Sequence, residues 1–341
     1  MTRILIRATN WIGDAVMSLP AIRALHDRHP QAELTVLARP WVAGLYAREP
    51  AIARMIPYTP RAGRRDLGAK WKAAQALRRE HFDCAVLLQN AFEAAAVARL
   101  AGIPRIVGYN RDARGWLLTD PVPVPKPGEL PRHERFYYLE LLCRAGLIDA
   151  MPPDAPIRLE GLAAAGESGR AYFTKLGIAS PVIGVSPGAA YGNAKRWLPE
   201  RFAESARAIA APLGASILVF GSEAEQRLCA EVALQAGGIN LAGKTSLTEF
   251  IDMTAACALF LTNDSGAMHI ASAAGIPTIS VFGATDDTTT GPTGDRARII
   301  REPVECSPCL LRECPIDHRC MTRVSAERVI AEASSLLAGF H

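Results

Sequence analysis

The stretch Leu261-Thr262-Asn263-Asp264-Ser265-Gly266-Ala267-Met268-His269 gathers a carboxylate, hydroxyls, a glycine and an imidazole where an apolar run gives way to a helical pattern. A strand that ends in a small polar loop before a helix aims backbone N–H groups and the positive end of the helix dipole at one spot, which suits a diphosphate. Gly266 permits close backbone approach, Ser265 adds a hydroxyl, and Asp264 can accept hydrogen bonds from sugar hydroxyls. His269 falls about one turn into the helix, where a lone histidine more often serves packing than chemistry.

Two other stretches follow apolar runs in the same way. In Ser186-Pro187-Gly188-Ala189-Ala190-Tyr191-Gly192-Asn193-Ala194-Lys195-Arg196-Trp197, small residues let N–H groups near phosphate oxygens, and Lys195 or Arg196 can neutralise a leaving pyrophosphate. The spacing is neither that of a Walker loop nor of a dinucleotide fingerprint, and a polar surface loop is the competing reading. In Thr9-Asn10-Trp11-Ile12-Gly13-Asp14, the aspartate either caps a helix or acts as a general base. The helix dipole would keep it ionised while weakening it as a base. Ser18 and Pro20 allow the helix to start later instead. A fourth group, Cys306, Cys309, Cys314 and Cys320 with His318 among them, has spacing open to zinc, an iron–sulfur cluster, disulfides or free thiols. A closed four-ligand site of this kind would be structural, so no catalytic metal follows from it. Cys84, Cys143, Cys229 and Cys257 lie in apolar stretches and read as core.

Side chains of this kind need strands that end together. Short apolar runs alternate with helical patterns along most of the chain, which predicts an α/β protein with parallel sheets covered by helices. Strands are predicted near residues 3–9, 33–38, 84–89 and 105–108, with helices near 14–28, 67–80, 92–100 and 133–145. Three prolines within residues 151–156 mark a linker. The rhythm resumes with strands near 182–186, 216–220, 239–241, 258–262 and 278–282, a helix opened by a Ser246-Leu247-Thr248-Glu249 capping box, and a closing helix near 325–337. Two such units are expected to hold ligands at the carboxyl ends of their strands.

Composition bounds the remainder. With 341 residues, 49% apolar and 21% charged, the chain suits two globular domains and excludes disordered and collagenous classes. Arg3 and Arg7 flank too short an apolar run for a secretory signal, so export is not expected. The uncharged run 265–285 is broken by His269, Gly275 and Pro277 and reads as a buried helix and strand. Net charge is +4. Residues 1–165 carry 23 Lys and Arg against 16 Asp and Glu, and the remainder 15 against 18, so the first half suits an anionic partner, although a solvated helix face fits the charge equally well.

The opening Ile4-Leu5-Ile6-Arg7-Ala8-Thr9-Asn10-Trp11-Ile12-Gly13-Asp14-Ala15-Val16-Met17-Ser18-Leu19-Pro20, the run Asn263 to Ala271, and the cysteine run enclosing Arg312-Glu313-Cys314-Pro315 resemble the bacterial lipopolysaccharide heptosyltransferases of glycosyltransferase family 9. The resemblance extends, in order, over essentially the whole chain. It implies the GT-B fold: two Rossmann-like domains whose parallel sheets face a central cleft, residues 1–160 binding acceptor and 161–341 binding ADP-sugar, with the final helix free to pack back on the first domain. It implies an inverting, metal-independent transfer of L-glycero-D-manno-heptose from ADP-heptose to the first inner-core heptose of lipopolysaccharide, heptosyl-Kdo2-lipid A, with no cofactor.

By the same resemblance Asp14 is the base and Lys195 stabilises the leaving ADP. Ser186, Gly188, Asp264, Ser265, Gly266, Ala267 and His269 line the donor site, with Glu223 on the ribose and Thr245 beside the adenine. Asn10, Gly13, Arg61, Arg64, Arg65 and Arg132 are the acceptor candidates. The expected partners are the donor and the lipopolysaccharide acceptor, with peripheral contact at the inner face of the inner membrane, a cytoplasmic location and no nucleic acid. The alternatives are transfer to Kdo2-lipid A directly, a non-catalytic ADP-sugar-binding module, and a nucleotide-dependent dehydrogenase or epimerase. The last lacks its G-x-G-x-x-G signature after the first strand.

Overall fold

Ile4, Leu5 and Ile6 run apolar without alternation, the pattern of a strand covered on both faces, and all three are buried. In the computed structural model, which describes residues 1–61 and 66–338, this strand, β1 (Arg3–Arg7), is central in a six-stranded sheet. Its companions are β2 (Glu33–Ala38), β3 (Arg54–Pro57), β4 (Cys84–Leu87), β5 (Arg105–Tyr109) and β6 (Asp120–Val122), in the order β3-β2-β1-β4-β5-β6. Every pairing is parallel. The chain divides into two compact units, Met1–Ile157 and Arg158–His341, and the proline-rich stretch closes the first.

The second unit repeats the winding. β7 (Val182–Ser186), β8 (Ser216–Val219), β9 (Ile239–Asn240), β10 (Leu259–Asn263), β11 (Thr278–Phe282) and β12 (Ala297–Arg301) form a parallel sheet in the order β12-β11-β10-β7-β8-β9. Both sheets therefore reverse direction beside their first strand, the place where open α/β sheets take ligands. The uncharged run resolves into the helix Gly266–Ala273 and β11, both largely buried. No helix among the described residues is long and apolar enough to cross a membrane. The final helix, Ala326–Ala338, buries Val329, Ala333 and Leu336 in the second unit's own core, with Trp197 and Phe202.

Three strands absent from the sequence reading, β3, β6 and β12, all lie at sheet edges. Edge strands are half exposed and lack the continuous apolar run that marks the interior, and β6 even carries Pro121, which an edge tolerates. The helix expected over 14–28 is two helices, Ile12–Met17 and Leu19–Arg28, separated at Ser18. The Ser18 hydroxyl donates to the Ala15 carbonyl at 2.8 Å, and Pro20 occupies the second helix's first turn, where its missing N–H costs nothing. The capping box at Ser246 is present in both directions.

Helix Leu162–Lys175 packs closely on helix Leu247–Ala255: a Cβ on Gly169 would stand 2.1 Å from the Asp252 carbonyl oxygen. Gly169→Ala should therefore push the helices apart and cost about 1–3 kcal/mol. The check is thermal unfolding; an unchanged midpoint would show that the contact relaxes freely.

Candidate active site

β7 and β10 are adjacent and in register, Ser186 opposite Thr262, so the loops that leave their carboxyl ends must meet. Asn263, fully buried at the end of β10, fastens them together. Its Nδ2 donates to the Pro187 carbonyl at 2.8 Å and its Oδ1 accepts from the Trp197 backbone N–H at 2.9 Å. The loop is held from its other side by residues of the cysteine-bearing segment. Tyr191 donates its hydroxyl to the Leu310 carbonyl at 2.7 Å, the Ala194 N–H donates to the Arg312 carbonyl at 3.0 Å, and His318 Nε2 lies 3.1 Å from the Ala194 carbonyl.

Held so, Lys195 reaches Asp264. The Nζ to Oδ2 distance is 2.6 Å, with the Asp264 side chain 4% exposed and the Lys195 side chain 13%. Thr285, beyond the end of β11, donates its hydroxyl to the same carboxylate oxygen. The ammonium also stands 4.9 Å from the centre of the Tyr191 ring. Immediately after Asp264 comes the start of helix Gly266–Ala273, with Ser265, Gly266 and Ala267 partly exposed and the Thr262 and Ser265 hydroxyls 3.1 Å apart. His269 is buried and lies on the same helix. A lysine, a carboxylate and the N-terminal end of a helix thus converge, an arrangement able to hold a diphosphate and the hydroxyls of its sugar.

The neighbouring strand adds a second cluster. A Cβ on Gly188 would sit 2.1 Å from Glu225 Oε1, so the carboxylate occupies the space this glycine leaves open. Glu225 caps the turn after β8 by accepting from the Ser222 N–H and hydroxyl, at 2.9 and 2.7 Å. Its other oxygen lies 3.9 Å from Arg196. Glu223, on the same turn, is exposed and stands beside Gly243, two residues before Thr245. The structure thus brings Glu223 and the Thr245 loop together, and Ser186, Gly188, Lys195 and Asp264 together.

In the first unit, Asn10, Gly13 and Asp14 follow β1 and are partly exposed. Asp14 lies in the first turn of helix Ile12–Met17, whose cap position is Trp11, without a side-chain cap bond. Asn10 is held in place: Arg7 donates to its Oδ1 at 3.2 Å and Trp41 Nε1 to its carbonyl at 2.9 Å. Arg61 and Arg132 are exposed, while Arg64 and Arg65 lie outside the described residues.

Sequence reasoning missed the surroundings of Asp14. Glu134 has its carboxyl pushed above the ordinary glutamate range, by burial first and by the Asp14 charge second, with Arg111 opposing. Tyr46 and Tyr138, both buried, have their hydroxyl groups pushed up by the same two influences. It also missed Arg114, fully buried, which donates to the carbonyls of Tyr109 and Gln89 and to Asn90 Oδ1 and so ties the loops after β4 and β5 together. None of these residues stands in a motif; only their partners reveal them. All eight cysteines are free thiols, and among the described residues no group of three or more His, Cys, Asp or Glu is arranged to hold a metal ion.

Two parallel sheets of Rossmann-type order, with a lysine and an aspartate gathered at a helix start, fit a glycosyltransferase of GT-B architecture. The model of glycosyltransferase family 9 (heptosyltransferase) matches residues 70–319, and the chain belongs to that family. It is 31% identical to lipopolysaccharide heptosyltransferase 2 of Escherichia coli K12, over 98% of each chain. It is 31% identical to lipooligosaccharide heptosyltransferase 2 of Haemophilus influenzae Rd, over 87% of this chain and 88% of that one. Among solved structures, E. coli ADP-heptose LPS heptosyltransferase II superposes with a TM-score of 0.86 at 29% identity, covering 99% of both.

Two outcomes follow. Asn263→Ala leaves a buried carbonyl and a buried N–H unpaired, which should cost about 2–4 kcal/mol of stability. It should also weaken ADP binding by calorimetry, because the Lys195 loop loses its anchor; wild-type melting and binding would show that the loop is held without it. Burial holds the Glu134 carboxyl above its ordinary range in the folded protein, so its ionisation weakens the fold as pH rises through the ordinary glutamate value of 4.5. Glu134→Gln should melt above wild type near about pH 7 and coincide with it near about pH 4. A gap that does not change with pH would mean the carboxyl carries no ionisation cost.

Proposed function

We propose that this glycosyltransferase moves L-glycero-D-manno-heptose from ADP-heptose to the first inner-core heptose of lipopolysaccharide, with inversion and without a catalytic metal. The observation that carries the reading is the Lys195–Asp264 pair at the start of helix Gly266–Ala273, a set of groups suited to the diphosphate and sugar hydroxyls of an ADP-sugar. Its likeness over full length to heptosyltransferases of the second type supports this choice of acceptor.

In this mechanism the second unit holds the donor. Lys195 and the N–H groups of Ser265, Gly266 and Ala267 face the diphosphate, Asp264 holds heptose hydroxyls, and His269 completes the same face. Ser186 and Gly188 let the backbone approach, Glu223 takes the ribose hydroxyls and Thr245 lies beside the adenine. The acceptor hydroxyl attacks the anomeric carbon while Asp14 takes its proton. As the new C–O bond forms, the bond from that carbon to the phosphate oxygen breaks, and the electron pair leaves with ADP. A single displacement inverts the anomeric centre and needs one base. Positive charge fixed at Lys195 and at the helix start meets the charge that develops on the leaving diphosphate, the service a divalent ion gives elsewhere.

Thr285 has a distinct part in this scheme. When Lys195 shares its charge with a phosphate, the Thr285 hydroxyl still donates to Asp264 Oδ2 and keeps that carboxylate oriented. The acceptor, which bears carboxylates and phosphates, lies against Asn10, Gly13, Arg61, Arg64, Arg65 and Arg132. Because it is anchored in lipid, the first unit works at the inner face of the inner membrane.

ADP release from ADP-heptose, measured with EDTA present and heptosyl-Kdo2-lipid A as acceptor, tests the reading. Turnover should persist in EDTA, fall about 10²–10⁴-fold in Asp14→Asn, and fall about 10²–10³-fold in Lys195→Ala. Turnover only with Kdo2-lipid A would reassign the acceptor, and loss in EDTA would overturn metal independence.

A further inference from the structure

Lys195 is neutralised where it stands: Asp264 faces its ammonium at 2.6 Å, so the pair carries no net charge. The start of helix Gly266–Ala273 adds only about half a positive charge. The proposed sugar diphosphate is a dianion that gains further charge as it leaves, and a reaction without a divalent ion needs a second full cation to meet it. Arg196, the other cation of the Lys195 loop, is turned toward Glu225 and the Ala189 carbonyl, at 3.9 and 3.3 Å.

Arg312 meets the requirement. Its guanidinium lies 5.2 Å from the centre of the Tyr191 ring, and the Lys195 ammonium lies 4.9 Å from the centre of the same ring. The two cations are therefore no more than about 10 Å apart, a span that a diphosphate can bridge with a charge-assisted hydrogen bond at each end. Arg312 is exposed, and among the described residues no carboxylate pairs with it, although Glu313 follows it in sequence. By contrast, Arg301 pairs with Asp287, Arg319 with Asp317 and Glu305, and Arg328 with Glu302.

The backbone fixes where this guanidinium stands. The Arg312 carbonyl accepts from the Ala194 N–H at 3.0 Å, and a Cβ on Gly192 would sit 2.1 Å from that same oxygen, so the Lys195 loop lies directly on it. Two residues earlier, the Leu310 carbonyl accepts from the Tyr191 hydroxyl at 2.7 Å and the Leu310 N–H donates to the Ala284 carbonyl at 2.8 Å. Ala284 precedes Thr285, whose hydroxyl bonds to Asp264. The segment Leu310–Arg312 is thus tied both to the loop after β7 and to the loop after β11. A guanidinium set against an aromatic ring keeps N–H groups free for a ligand, and its planar fork suits phosphate oxygens.

Sheet order says which phosphate it meets. The strands run β12-β11-β10-β7-β8-β9, and Glu223 and Thr245, proposed for ribose and adenine, follow β8 and β9. Arg312 is tied down on the other side, at β7 and β11. We infer that Arg312 is a second donor-binding cation, which together with Lys195 holds the phosphate on the sugar side of the diphosphate. The inference rests on the reading of the donor as an ADP-sugar and names a residue that meets its second phosphate.

The test is calorimetric titration of wild type, Arg312→Ala and Arg312→Lys with ADP and with AMP, beside thermal melting. Wild type should bind ADP more tightly than AMP. Arg312→Ala should weaken ADP binding about tenfold or more and AMP binding less than about twofold. Melting should not change, because the contacts that seat the Lys195 loop use the Arg312 main chain. Arg312→Lys keeps the charge without the planar fork and should recover part of the loss. Equal weakening of ADP and AMP would overturn the inference, by showing that the side chain only shapes the loop. Unchanged ADP affinity in Arg312→Ala would overturn it while leaving the ADP-sugar reading intact. A wild-type protein that binds neither nucleotide would sink that reading and this inference together.

Discussion

The carboxyl end of the second unit's sheet depends on one ammonium–carboxylate contact formed with little water around it. Lys195 and Asp264 stand 69 residues apart in sequence and 2.6 Å apart in space. Burying two charges is costly unless each is paired and further bonded, and truncating either partner of such a pair typically costs about 3–5 kcal/mol. Here Thr285 supplies the further bond, and Asn263 supplies the geometry by clasping the loop that carries the lysine. The strand pairing of β7 with β10 makes that clasp short enough to work.

The first unit solves a related problem with opposite bias. Arg7, Arg39 and Lys70 are all buried beneath the carboxyl edge of its sheet, and one carboxylate, Glu93, serves two of them. Burial pushes the Arg7 guanidinium down to about 10, and Tyr58 lies between Arg7 and Arg39, with guanidinium-to-ring distances of 4.7 and 4.8 Å. The Tyr58 hydroxyl donates to Glu93 at 2.9 Å. Arg7 is further satisfied by the Ala8 and Leu37 carbonyls and by Asn10. This layer fixes the loop that presents Asp14. The same contacts also join the loops after β1, β2 and β4 to helix Leu67–Arg78, so one buried network holds this whole edge of the sheet.

The two units share a winding but use it differently. In the second, the carboxyl ends of the strands carry small residues, a lysine and a helix start, which favour a compact anion. In the first, they carry a carboxylate among tyrosines, basic side chains and exposed rings, which favour a large, partly apolar, anionic partner. Sheet order alone distinguishes neither role; the side chains at the strand ends do.

The sequence by itself determined the class, the two units and the interior strands, because strands buried on both faces must be apolar without interruption, as Ile4 to Ile6 and Leu259 to Leu261 are. It also located the polar stretches at their ends, since a glycine or small residue beside a helix start has a local cause. The edges β3, β6 and β12 escaped it because half-exposed strands need no such run. Only the tertiary structure decided that Thr285 completes Asp264, that Asn263 clasps the Lys195 loop, that Glu225 lies against Gly188, and that Glu134 and two tyrosines surround Asp14. Those contacts join residues far apart in the chain, and a hydrogen bond or an ion pair between distant loops leaves no periodicity for a sequence to display.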